Sequence, residues 1–141
     1  MKISTKGRYA LRMMADIAEN QEKGYVALKE VARRQDISKK YLEQIALRLS
    51  QAGMLQAVRG FQGGYMLSRP AGQYTVLQIL EVVEGSMVPV SCLEPCAAPC
   101  PLREGCRTLP VWQGLEKRIH DYLGGFTLAD VVEGRVGGEP I

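Results

Sequence analysis

Cys92, Cys96, Cys100 and Cys106 are the only cysteines of a 141-residue chain, with three, three and five residues between successive members. Four thiols this close suit a metal or redox site, because the thiolate is both a soft ligand and a nucleophile. Three chemistries fit them. An iron–sulfur cluster (2Fe-2S or 4Fe-4S) takes thiolates from open loop backbone and is the first reading. Zinc is the alternative, although its ligand pairs usually stand roughly two to four residues apart on tight turns. A thiol switch that oxidises to disulfide is the third. Pro89, Pro95, Pro99 and Pro101 prevent helix or sheet from absorbing the stretch, which keeps the thiols on loop.

A second set of residues suits a polyanion. Residues 1–70 hold 13 Lys and Arg against 6 Asp and Glu, a net +7, whereas residues 71–141 hold 5 against 9, a net −4. The asymmetry suggests that only the first half meets a polyanion, the alternative being a basic surface with no partner. Within that half, Ser38, Lys39, Lys40 and Tyr41, then Glu43 and Gln44, are hydrogen-bonding and cationic types at the exposed start of a helix. They suit phosphates and base edges of a double-stranded DNA operator. Arg59 and Gly60 follow in a Gly-rich connection, where a thin loop can deliver a cation to a narrow minor groove.

The elements that must position these residues are legible from periodicity. Ser4 and Thr5 can cap a helix to about residue 19, with Tyr9, Met13 and Ile17 on one face. A shorter helix over 28–35 buries Leu28, Val31 and Ala32, and Asp36 and Ile37 make a tight turn. Ser38 caps a third helix whose Leu42, Ile45, Ala46 and Leu49 share a face. Two apolar runs, 54–58 and 65–68, flank Arg59-Gly60-Phe61-Gln62-Gly63-Gly64 and read as a β-hairpin. Helix, turn, helix and hairpin in this order make a winged helix-turn-helix.

A fourth helix spans 76–84, and Pro110 opens a long one to about residue 123 as its first residue. Trp112, Leu115, Ile119 and Tyr122 give that helix an apolar stripe suited to a homodimer, and His120 falls on its surface. Thr127 caps a short last helix to 132. The fold class is mainly α with a small β-hairpin. The organisation is a DNA-binding domain at 1–72, a cysteine loop with dimerisation helices at 73–133, and a disordered tail at 134–141.

Composition narrows the function classes. Hydrophobic residues make up 46% and charged residues 23%, as in a folded globular chain. No apolar run approaches the ~18–20 residues of a membrane span, and no h-region follows the charged start, so no membrane partner and a cytoplasmic location are expected. With one histidine and no nucleophile–base constellation, the residues do not suggest an enzyme. A regulator governed by a partner protein is the rival from another class.

The runs Ile3-Ser4-Thr5-Lys6-Gly7-Arg8-Tyr9-Ala10, Ile37-Ser38-Lys39-Lys40-Tyr41-Leu42-Glu43-Gln44 and Arg59-Gly60-Phe61-Gln62-Gly63-Gly64-Tyr65 closely resemble the Rrf-two family of bacterial transcription regulators, as does Val111-Trp112. The resemblance covers about residues 1–133. It implies a homodimeric winged-helix repressor, and cluster-binding members hold iron–sulfur through three cysteines. Cys100 and Cys106 match the last two of those positions, and Cys92 best meets the first, with Cys96 as contender. One branch adds a histidine where Leu109 stands, and another uses an acidic residue where Arg8 stands. The fourth ligand is thus open, and Cys96 is the thiol available for it.

Overall fold

The computed structural model describes residues 1–137. Helix α1 (Thr5–Asn20) starts where the Ser4 hydroxyl accepts the Gly7 N–H, and it buries Gly7, Ala10, Met13, Met14 and Ile17 at helical spacing. The polar stretch after it closes a single 3-10 turn, Gln21–Lys23. Helix α2 (Leu28–Gln35) ends on Asp36, whose left-handed φ of 53° lets the Ile37 N–H reach the Ala32 carbonyl at 3.2 Å. Aspartate tolerates that conformation, so the turn forms without the commoner glycine. Helix α3 (Lys39–Gln51) buries Leu42, Ile45, Ala46 and Leu49 and exposes its opposite face.

The hairpin pairs β1 (Leu55–Val58) with β2 (Gly64–Leu67) in antiparallel register, Leu55 opposite Leu67 and Val58 opposite Gly64. Val26 adds a bridge to Tyr65, with both backbone bonds at 2.8 Å, so the hairpin is anchored to the α1–α2 connection. Gly64 is required there, since a Cβ would collide with the Val26 carbonyl.

Helix α4 (Val76–Glu84) opens on a Thr75–Gln78 capping box and packs along α1 and α3. Its end is tied twice to the winged helix. The Glu84 carboxylate accepts the backbone N–H groups of Ser4 (2.9 Å) and Gly7 (3.0 Å), and the Arg48 guanidinium donates to the Val83 carbonyl at 3.3 Å. Tyr74 is fully buried; its hydroxyl donates to the Met54 carbonyl at 2.8 Å and accepts the Arg69 N–H at 3.0 Å. One core accordingly runs through Met13, Leu42, Ile79 and Leu128, joining both sides of the 72/73 division.

Residues 85–108 form loop with two 3-10 turns, Ser91–Leu93 and Arg103–Gly105. Helix α5 (Leu109–Gly124) follows, and α6 (Leu128–Val132) returns to α1 through a Thr127–Asp130 capping box. Pro110 is the second residue of α5 and not its first, because Thr108 takes the cap position and Leu109 begins the helix. His120 is half-buried, with Nε2 2.9 Å from the Met87 carbonyl, which corrects its assignment to the surface. In the segment expected to be a tail, Arg135 pairs with Asp130 at 2.9 Å, and residues 138–141 lie outside the described residues. No helix among the described residues is long and apolar enough to cross a membrane.

Candidate nucleic-acid interface and cysteine loop

The exposed side of α3 and the hairpin enclose a groove of about 670 Å³. Lys39, Glu43 and Leu47 line it from α3 because residues four apart share a helix face; Val58, Arg59 and Phe61 line it from the hairpin. Of the residues singled out for DNA, the fold thus gathers Lys39, Glu43, Arg59 and Gly60 around one groove. Lys40 and Gln44 are exposed on α3 outside its lining. Ser38 has a structural duty, since its hydroxyl oxygen accepts the Tyr41 N–H at 3.1 Å; its proton is free to donate elsewhere. Tyr41 is half-buried, its ring set edge-on to Tyr9 with centroids 5.6 Å apart, so only part of it faces outward. Lys39 and Glu43 form an ion pair at 3.7 Å with both side chains more than half exposed. Water screens that pair, so exchanging it for phosphate and base contacts costs little.

Lys29 and Phe61 are among the groove residues not singled out for DNA from sequence. Lys29 adds a cation at the start of α2, and Phe61 is completely exposed at the hairpin tip. Alternation of apolar and polar residues identifies strands, but nothing in it says whether a loop phenylalanine turns inward.

All four cysteines are free thiols; Cys92, Cys96 and Cys100 are exposed and Cys106 is half-buried. Among the described residues, no three Cys, His, Asp or Glu side chains converge on one point. The donor set nonetheless suits a soft metal centre, and one member is already tuned for it. The Thr108 hydroxyl, 3.4 Å from the Cys106 sulfur, and the backbone N–H groups of Thr108 and Leu109 hold the Cys106 pKa below the ordinary thiol value. Those amides belong to the start of α5, where N–H groups have no helical partner and favour an anion.

Helix α5 buries none of its residues within the chain. Val111, Trp112, Leu115 and Tyr122 remain 60, 36, 43 and 56% exposed. Ile119, the remaining member of the expected stripe, is half-buried.

The family model that describes Rrf2 as an iron-dependent transcriptional regulator matches residues 3–134. The chain belongs to the Rrf2 family. It is 40% identical over 139 residues to the HTH-type transcriptional regulator IscR of Cereibacter sphaeroides, covering 94% of this chain and 88% of that one. Among solved structures, CymR (YrzC), the global cysteine regulator of B. subtilis, superposes with a TM-score of 0.78 at 33% identity, covering 95% of this chain and 98% of CymR. T. potens IscR superposes with a TM-score of 0.73 at 34% identity, covering 99% and 94%. The chain is a transcription regulator of the Rrf2 type, and its winged helix-turn-helix is the fold expected from sequence.

Proposed function

We propose that the chain acts in the cytoplasm as a homodimeric repressor whose operator affinity is set by an iron–sulfur cluster in the cysteine loop. The observation that carries the reading is one groove holding Lys39, Glu43 and Arg59 in the basic half, joined through α4 to a loop of four free thiols. In this account residues 1–72 are the DNA-binding unit and residues 73–133 the sensing and dimerising unit. Helix α3 enters the major groove, with Lys39 and Lys40 on phosphates and Ser38, Tyr41, Glu43 and Gln44 toward base edges. Arg59 and Gly60 reach the neighbouring minor groove. Two copies joined through α5 read half-sites about 34 Å apart.

Cys92, Cys100 and Cys106 would hold the cluster, with Cys96 as the fourth ligand; the bound group supplies a redox- and iron-responsive centre. What this chain contributes is a path from the loop to the DNA-binding face. Gly85, at φ +84°, starts the loop directly after Glu84, which caps α1, and Val83, which Arg48 of α3 grips. At the other side His120 holds the Met87 carbonyl against α5. A rearranged loop therefore pulls on the recognition helix and on the dimer helix together, which gives two sites a shared two-state element.

A thiol redox switch is the second reading, favoured by the separated and exposed sulfurs. Anaerobic purification followed by absorption spectroscopy and iron, sulfide and zinc analysis decides between them. The cluster reading expects iron and inorganic sulfide, lost on Cys96→Ala about as fully as on Cys100→Ala. Stoichiometric zinc without sulfide, or no metal with reversible disulfides, would replace it.

A further inference from the structure

Phe61 stands at the tip of the hairpin with a relative exposure of 103%, so among the described residues nothing shields its ring. Its loop neighbours Gly60, Gln62 and Gly63 offer no apolar cover. Gly60 adopts a φ of +117°, the Gly63 N–H closes on the Gly60 carbonyl at 3.0 Å, and a Cβ on Gly63 would collide with the Val58 carbonyl. Behind the tip, β2 is fastened to Val26 on one side, and the Leu67 N–H donates to the Gln21 side chain at 2.9 Å. The backbone that presents the ring is braced from behind.

A single exposed apolar residue needs no explanation in itself. The surroundings of this one supply it. Phe61 lies on the groove between α3 and the hairpin, whose cations are Lys29, Lys39 and Arg59 and whose exposed apolar members are Leu47 (57%) and Val58 (43%). A strand of alternating phosphates and deoxyribose faces has the matching chemistry. If α3 occupies a major groove and the hairpin the adjacent minor groove, one sugar–phosphate strand must pass between them, along this groove. The tip then lies beyond that strand, among sugars and base edges.

Resting on the DNA-binding reading above, we infer that Phe61 is an apolar wedge that enters the minor groove beside Arg59 and opens a base step. Side chains of this kind partly unstack the step and bend the duplex toward the major groove. Pyrimidine–purine steps open most easily, so the wedge makes the chain prefer such a step under the hairpin without any hydrogen bond to a base. Phe61 is thereby a specificity-determining residue of the operator contact.

The test uses the full chain and a duplex that it selects from a randomised library, with 2-aminopurine placed at successive positions under the hairpin. Binding of the native chain should brighten the probe at one step, as unstacking does, and the selected sequences should carry a pyrimidine–purine step there. Phe61→Ala should remove the brightening and weaken binding roughly tenfold, the scale of one base stacked on an aromatic ring. Because no counterion is released by an apolar contact, that loss should be the same at every salt concentration. Arg59→Ala, in contrast, should lower the salt slope by about one unit. Since the ring is fully exposed among the described residues, helical circular dichroism should be unchanged in Phe61→Ala. Undiminished affinity and brightening in Phe61→Ala, alongside weakened Arg59→Ala and Lys39→Ala, would overturn the wedge and leave the DNA-binding reading intact. A chain that selects no duplex at all would overturn both.

Discussion

Asp16 sits at the centre of a polar network with Asn20, Arg34 and Gln35. It is 3% exposed on α1, and burial by itself would raise its pKa. Arg34 at 2.6 Å, Gln35 at 2.9 Å and Asn20 outweigh that penalty and hold the carboxyl below the ordinary carboxylate value. The network ties α1 to the end of α2 beside the turn that aims α3. Asp16→Asn should cost about 2–3 kcal/mol of folding stability, less than a fully buried orphan charge because Arg34 retains 28% exposure. With the pKa depressed in the fold, Asp16 stabilises above the unfolded carboxyl value near ~4 and loses this as pH falls through the lower folded value. Urea titrations between neutral and acid pH should show the native and Asp16→Asn chains converging as acidity rises. Cys106 is tuned by its neighbours as well. In the metal-free chain its alkylation should reach half-maximal rate below the ordinary thiol pKa of ~8.5, and Thr108→Val should move that midpoint up. An unmoved midpoint would remove Thr108 from the argument.

At the scale of elements, the proposed function assigns recognition to α3 and dimerisation to α5. Lys39→Ala or Lys40→Ala should weaken all DNA sequences alike and lower the salt slope by about one unit, as lost phosphate contacts do. Glu43→Ala should instead relax preference at one base pair, because a carboxylate accepts from cytosine and repels phosphate. An even loss across a randomised operator library would remove Glu43 from base readout. On α5, Trp112→Glu should weaken the dimer by about 2 kcal/mol or more, read by sedimentation across a dilution series, since desolvating a charge replaces burial of an indole. The starts of α1, α3 and α6 were legible because Ser4, Ser38 and Thr127 cap within three residues of their own positions. The start of α5 was displaced by one residue because Pro110 tolerates either of the first two positions once Thr108 takes the cap. Contacts between distant residues were not legible at all. His120 meets Met87 across 33 residues and Glu84 meets Gly7 across 77, and no local period carries either pairing.

For the whole molecule, the charge difference between halves and the crowding of cysteines into one loop were legible in full, and the proposed division into a DNA-facing part and a sensing part rests on them. Less legible was how closely the two are joined: Met13, Leu42, Ile79 and Leu128 share one core, and the last turn of α4 grips both α1 and α3. The thiols are the opposite case. Their number and spacing suggest a shared centre, yet free sulfurs on a proline-rich loop have no packing force to gather them without a ligand. Control of DNA binding by that loop is the central claim. Its most direct test is operator affinity, measured anaerobically on the chain as purified and again after a chelator has removed its iron and sulfide. The account predicts affinities differing by at least about fivefold, the lower end of ordinary coupling between two sites, with the difference abolished by Cys106→Ala. Equal affinities in a chain that had demonstrably lost its iron and sulfide would contradict it.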